Sequence, residues 1–332
     1  MDKVRVGILG AGGIANRHFN ALAGNPKAEV TAICDIEIEK AREMAGRTKN
    51  AKAFGSLDSL LAETRVDAMY VCMPPFAHSG EVEMLAARGT HLFLEKPIAL
   101  TAERARSMTA ACTAAGIVTQ VGYHHRCGAA IRRLKTLIDS GVAGPPTLFD
   151  GRYACNSLHG PWWREREKSG GQLLEQVIHT YDLCMYLFGE PESVCGFTAN
   201  IGHRDVENYT SEDTGAGIVR FKSGALAAIA STNNAEPGKW INSYSVFCKN
   251  LTVHFENSNQ AEFIFTGENP PRTELVNEDT DLAAIQCDSF LDVVLGKTQP
   301  ICPVTEGLHS LLLVESVVES ARQGGLPVQY RR

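Results

Sequence analysis

The stretch Val4-Arg5-Val6-Gly7-Ile8-Leu9-Gly10-Ala11-Gly12-Gly13-Ile14-Ala15 decides the fold. Val4 to Leu9 is a short apolar run of strand length, and Ile14 to Ala23 carries a helical pattern. Between them Gly10 to Ala15 fits G-x-G-x-x-A. The first glycine permits a tight turn. Gly12 lets the backbone approach a pyrophosphate, whose charge then sits at a helix N-terminus, and Ala15 keeps the helix close to the strand. Gly13 and Ile14 complete the expected contact set. A second strand pattern, Glu29 to Cys34, ends at Asp35. An acidic residue there accepts hydrogen bonds from an adenosine ribose diol and repels a 2′-phosphate. The neighbouring Ile36 and Glu37 provide no cation for such a phosphate, so NAD(H) is favoured over NADP(H). The competing reading is a tight turn with a capping aspartate and no nucleotide.

Working outward, strand and helix signals alternate through Val121. Ala68 to Met73 ends at Pro74-Pro75, Ser79 to Arg88 is helical, and His91 to Leu94 ends at Glu95-Lys96-Pro97. Thr101 opens a helix to Ala115, and Ile117 to Val121 closes the series. That alternation predicts a doubly wound parallel sheet of Rossmann type, an α/β domain over 1–122. The grammar then changes. After a helix (Ala130 to Asp139), a loop (Gly141 to Pro146) and a long helix from Gly170-Gly171 to Phe188, strand follows strand from Ser193. Residues 123–332 are therefore read as an α+β substrate domain on an open, mostly antiparallel sheet, a meander closed by two helices. Ile218, Leu226, Ala228 and Val246 offer an apolar sheet face suited to self-association.

Composition narrows the function classes. The chain has 332 residues, enough for about two domains. With 44% hydrophobic and 21% charged residues it is an ordinary globular sequence. The net charge is −6 and no basic stripe occurs, which argues against nucleic acid or an anionic membrane as partner. No run of about 20 apolar residues could span a bilayer, and no signal peptide is visible, so a cytoplasmic protein is expected. The ten cysteines are scattered, without any CxxC, which argues against a metal site and for buried thiols in a reducing compartment.

Taken in order, Gly10 to Ala15, Asp35, Pro74-Pro75 with His78, Glu95-Lys96-Pro97, Gly122-Tyr123 with Arg126, Gly170-Gly171, and His179 with Asp182 form a pattern. The chain resembles the glucose–fructose oxidoreductase / inositol dehydrogenase / rhizopine-catabolism (Gfo/Idh/MocA) family over nearly its whole length. The resemblance implies an oxidoreductase moving a hydride to or from a carbon–oxygen centre of a sugar, sugar derivative or cyclitol, working as a homodimer or homotetramer. It implies that Pro75, His78 and Glu95 line the cofactor. It also implies that Lys96 touches the reacting hydroxyl and the nicotinamide region, with a Lys96–Pro97 bond that can be cis. Trp163 and Arg164 of Trp162-Trp163-Arg164 fall near substrate and cofactor respectively, with a packed aromatic as the bland alternative. Tyr123 and Arg126 are substrate candidates, Arg126 alternatively an interface ion pair. His124 and His125 stay ambiguous, and Asn233-Asn234 reach either substrate or a turn.

The remaining chemistry sits on one predicted helix. Glu175, His179 and Asp182 are spaced i, i+4, i+7 and share an α-helical face. Apolar neighbours Leu174, Val177, Ile178 and Leu187 make a solvated ion-pair helix a poor description. The family usually shows Asp where Glu175 stands, which puts substrate geometry in doubt. Lys96 and His179 are the expected proton-handling pair, in either order. Glu175 would orient them or hold a substrate hydroxyl, and Asp182 would fix the imidazole tautomer or bind substrate. Two other readings share these residues: a non-catalytic NAD-binding sugar sensor, and an NAD-dependent glycoside-cleaving or eliminating enzyme without net redox change.

Overall fold

The structure is a computed structural model and describes residues 3–332. The chain divides into two compact units. One comprises the residues up to His124 together with Asp281–Leu308, the other His125–Thr280 with His309–Arg332. The sequence reading placed a single boundary after residue 122 and assigned everything beyond it to the second domain. Residues 281–308 return instead to the first unit.

In the first unit, six strands alternate with helices: β1 (Val4–Leu9), α1 (Gly13–Ala23), β2 (Ala28–Cys34), α2 (Ile38–Ala45), β3 (Lys52–Phe54), α3 (Leu57–Glu63), β4 (Ala68–Val71), α4 (Glu81–Ala87), β5 (His91–Leu94), α5 (Ala102–Ala114) and β6 (Thr119–Val121). The strands pair in parallel in the order β3-β2-β1-β4-β5-β6. All four residues of β4 and all three of β6 are buried, as expected of strands covered on both faces. Helix α1 buries Ala15, His18, Phe19 and Leu22, the i, i+3, i+4, i+7 set that its spacing dictates. Three-residue β3 is too short to leave a periodic signal, and the sequence reading missed it.

The second unit opens with α6 (Ala129–Asp139), β7 (Pro146–Cys155), α7 (Pro161–Arg164), α8 (Arg166–Ser169) and α9 (Ile178–Phe188). Strands β8 (Pro191–Ala199), β9 (Thr214–Phe221), β10 (Leu226–Thr232), β11 (Trp240–Cys248), β12 (Thr252–Asn257), β13 (Gln260–Phe265) and β14 (Arg272–Asn277) follow. The chain ends with α10 (Leu282–Val294), α11 (Val304–Arg322) and β15 (Val328–Gln329).

The nine-stranded sheet runs β14-β13-β12-β11-β7-β10-β9-β8-β15. It is not the simple meander expected. Strand β7 inserts between β11 and β10, antiparallel to the first and parallel to the second. Its sequence concealed this. Phe149, Gly151 and Tyr153 face inward, and a Cβ on Gly151 would stand 2.6 Å from the Phe149 ring and 2.9 Å from Thr180. The inward position that would complete the apolar alternation is filled by neighbouring side chains, so a glycine occupies it. Helix α10 belongs to the first unit because Phe290 and Leu291 join its core, where Phe290 meets Tyr70 edge-on. Lys27 adds ion pairs of 2.8 Å to Asp288 and to Asp292.

Candidate active site

The parallel sheet of the first unit brings its chemistry to one edge. Leu9, Val71, Leu94 and Val121 stand in register at the carboxyl ends of β1, β4, β5 and β6. The segments that follow them hold Gly10, Pro75, Lys96 and Tyr123. Gly10 has φ +90°, and a Cβ there would lie 2.5 Å from the Cys72 carbonyl oxygen, so only glycine makes this turn. A Cβ on Gly12 or Gly13 would meet nothing within 4 Å. No side chain caps α1 at Gly12, and its first turn holds no acidic residue. Open space before helix amides with no competing carboxylate fits a dinucleotide pyrophosphate. The Asp35 carboxylate accepts from Ala11 N at 2.7 Å and from Glu37 N at 2.8 Å. It thus braces the glycine loop, and each oxygen keeps a lone pair for a ribose hydroxyl. Two large apolar side chains stand exposed beside these segments. Ile36 is 93% exposed directly after Asp35, and Phe76 is 44% exposed directly after Pro75.

His78 and Glu95, both expected to line the cofactor, are held by internal partners. His78 Nδ1 pairs with Glu81 Oε1 at 2.5 Å, and the other Glu81 oxygen accepts from the amides of Ser79 and Gly80. Burial raises the Glu81 pKa, but the His78 hydrogen bond and charge and the backbone amides outweigh it and bring it down to about 2. Glu95 Oε1 pairs with His18 Nε2 at 2.6 Å, both side chains buried. Its Oε2 accepts from Lys96 N at 3.1 Å. Gly122 leaves room for that carboxylate, since a Cβ would come within 2.9 Å of it. Glu95 therefore ties the backbone of Lys96 to the helix that carries the glycine loop. The Lys96–Pro97 bond is cis. Lys96 is half-buried, and Tyr123 is buried.

In the second unit the expected α-helical face is altered. Residues Leu173–Val177 form a π-helical turn ahead of α9, with i→i+5 hydrogen bonds that offset Glu175 from the α register. The i, i+4, i+7 residues accordingly meet three different sets of partners. Glu175 is buried and accepts from Trp163 Nε1 at 2.8 Å and from Gln176 Nε2. The His179 ring stands edge-on to the His125 ring at 5.0 Å between centroids. Asp182 receives Arg126 through Nε at 2.8 Å and Nη2 at 2.7 Å, and Ser310 Oγ donates to it at 2.8 Å. Both members of the Arg126–Asp182 pair are sealed from solvent. The expectation that Asp182 and Arg126 bind substrate gives way to an architectural role: a bidentate buried pair occupies the head groups.

Trp163 is buried too, the packed aromatic of the alternative reading. Arg164 donates to the carbonyls of Leu158 at 3.1 Å and His159 at 3.4 Å and so braces the preceding loop. Asn233 lies in the interior, accepting from Gln172 Nε2 at 2.5 Å and donating to Tyr209 Oη at 3.1 Å. His125, left ambiguous by sequence, is the residue that the fold sets against His179. Among the described residues no group of three His, Cys, Asp or Glu side chains could hold a metal, and no helix is long and apolar enough to cross a membrane. The free cysteines are buried, apart from a partly exposed Cys195.

Comparison with known proteins agrees with this arrangement. Residues 4–123 match the model of the oxidoreductase family with an NAD-binding Rossmann fold, and residues 131–254 match the GFO/IDH/MocA C-terminal domain. The chain is 28% identical to the inositol 2-dehydrogenase of Rhizobium meliloti, covering 96% of this chain and 97% of that one. It is 24% identical to the D-glucoside 3-dehydrogenase of Escherichia coli, covering 97% and 96%. Among solved structures, the WlbA dehydrogenase of Bordetella pertussis, in complex with NADH and UDP-GlcNAcA, superposes with a TM-score of 0.88 at 25% identity, covering 100% and 99%. A levoglucosan dehydrogenase bound to NADH and levoglucosan shares the fold with a TM-score of 0.91 at 20% identity, covering all of both chains. With a dinucleotide cradle at the edge of the first sheet and both family models matched in sequence order, the chain belongs to the GFO/IDH/MocA family of NAD-binding oxidoreductases.

Proposed function

We propose that this protein is an NAD(H)-dependent dehydrogenase or reductase of a sugar, sugar derivative or cyclitol, with Lys96 and His179 moving the proton. The observation that carries the reading is the place of Lys96. It follows a strand whose end is in register with the strand that leads into the glycine loop, and Glu95 ties its backbone to α1. The amides opening α1 would hold the pyrophosphate, and Asp35 the adenosine ribose. Bound nicotinamide supplies the carbon that accepts or returns the hydride. Lys96 and His179 take the hydroxyl proton in oxidation or return it in reduction. Glu175 fixes a substrate hydroxyl, with Trp163 and Gln176 holding its carboxylate in place. Curated relatives named for inositols and glucosides support the substrate class.

Self-association as a homodimer or homotetramer in the cytoplasm completes the proposal. Phe197, Ile218 and Leu226 are 63%, 44% and 43% exposed on three neighbouring strands, β8, β9 and β10. An apolar face of that kind favours a second copy. Val246, counted with that face in the sequence reading, is buried.

The test is a screen of cyclitols, aldoses, sugar acids and keto-sugars at 340 nm with NAD and NADP. On the best substrate, Lys96→Met and His179→Ala should each lose at least about 10²-fold in turnover while NADH binding, followed by fluorescence, persists. Wild-type rates in both variants would overturn the assignment.

A further inference from the structure

Around Glu175 the second unit closes a circuit of six side chains. Trp240 Nε1 donates to Tyr153 Oη at 2.8 Å, and Tyr153 Oη donates to Gln176 Oε1 at 3.2 Å. Gln176 Nε2 donates to Glu175 Oε2, the same oxygen that accepts from Trp163 Nε1. The Trp163 ring lies 4.0 Å from the His159 ring, which returns to Trp240 at 5.4 Å. Tyr153, Trp163 and Glu175 are buried, whereas Trp240 is 55% exposed. The one polar atom of its indole is spent on an interior partner, so the orientation of the exposed ring is fixed from within.

His159 is built in with similar care. It has φ +52°, a left-handed conformation that a non-glycine residue rarely adopts. Its amide donates to Ser157 Oγ at 3.1 Å, and Arg164 grips the carbonyls of Leu158 and His159. A strained turn held by several bonds keeps one imidazole between two indoles. Strand pairing puts the set at one end of the sheet, because Trp240 pairs with Cys155 where β7 ends.

Rings of pyranoses and cyclitols carry their hydroxyls outward and present an apolar C–H face, which aromatic surfaces receive well. We propose that Trp240 and His159 form a platform for the C–H face of a six-membered ring polyol and determine specificity for such rings. This rests on the dehydrogenase reading above, since it supposes that the hydroxyl of that same ring is held at Glu175. The circuit gives the platform a second effect: an indole moved at position 240 loosens Tyr153 and Gln176, and through them the Glu175 carboxylate.

The experiment uses the full-length enzyme with NAD and three ring polyols: myo-inositol, scyllo-inositol and methyl β-D-glucoside. On the best of these, Trp240→Ala should raise KM at least about tenfold, the size expected for loss of one stacked ring, while kcat falls far less. Trp240→Phe keeps an aromatic face and should raise KM less than about threefold. A second reading is free of turnover. Adding the ring polyol should shift the tryptophan emission of the wild-type protein, which has three tryptophans, and Trp240→Phe should remove most of that shift, leaving the part that Trp163 reports through Glu175. This carries the test if the alanine variant fails to fold. If KM stays within twofold in a Trp240→Ala protein of wild-type Tm, or the emission shift survives undiminished in Trp240→Phe, the platform is overturned. If the wild-type protein oxidises none of the three rings, the dehydrogenase reading of this substrate class falls and takes the platform with it. Turnover that depends on Lys96 but is indifferent to position 240 removes the platform alone.

Discussion

Two glycine pairs introduce helices in this molecule, and they do opposite things. Gly12 and Gly13 open α1 with no atom near where their side chains would be. Gly170 and Gly171, both at positive φ, precede the π-turn with their space already taken, by Leu174 and by the buried Glu212 carboxylate. That carboxylate accepts from Leu173 N at 2.9 Å and from Arg166 at 2.6 Å. Its burial raises its pKa, against the pull of Arg166 and the Leu173 amide. A glycine pair before a helix is therefore not by itself a phosphate cradle. In the first unit the protein leaves the helix end to a ligand, and in the second it closes the end with its own acid.

The comparison extends to charges and can be broken by substitution. The largest effect is expected where the second unit is most completely closed. Asp182→Asn leaves the Arg126 guanidinium buried without its anion and should cost about 3–5 kcal/mol in denaturant unfolding. A loss under 1 kcal/mol would show that the pair is not sealed. Gly171→Ala should cost roughly 2–3 kcal/mol, from positive φ and collision with Glu212, seen as a fall in Tm without a matching change in NADH affinity. Gly12→Ala should do the reverse. Its Tm should stay within about 1 °C, the protein offering no neighbour to strike, while the NADH Kd rises about tenfold. Identical behaviour of the two alanine variants would dissolve the distinction.

The smallest effect concerns a carboxylate that the first unit closes on itself. Glu81 has a folded pKa of about 2 against 4.5. Its depressed value adds stability that is present above about pH 4.5 and is lost as pH falls toward 2. Between about pH 4.5 and 3.5 the wild-type protein should lose about 1 kcal/mol more than Glu81→Gln. Parallel stability curves for the two proteins would contradict the pairing with His78.

The first unit was largely legible in the sequence because its signals are local. A strand, a glycine turn and a helix lie within about twenty residues, and Asp35 stands where the second strand stops. Lys96, two residues past the end of β5, was singled out by the family resemblance and not by a local pattern, since a lysine at a strand end is ordinarily a solvated charge. The bracing by Glu95 was not legible: its partner His18 is on α1, and Gly122, which yields it space, follows β6. In the second unit, periodicity named Glu175, His179 and Asp182 but assumed an unbroken α-helix. The π-turn that separates their surroundings has no distinct composition, and it is accompanied by Glu212, far along the chain, bonding to Leu173. Strand β7 escaped because Gly151 breaks its inward alternation, and that glycine is explained only by Phe149 and Thr180 occupying its side-chain space.

What the sequence determined by itself was the family, the parallel sheet and the residue types able to bind a dinucleotide and move a proton, since these follow from short-range pattern and side-chain chemistry. Tertiary structure alone decided which charges are used up internally and which residues are set beside Glu175 and His179. The physical reason is burial. A charge or indole removed from water must find its partner wherever the fold provides one, and Arg126, Trp163 and Tyr153 found theirs at distances along the chain that no local pattern records.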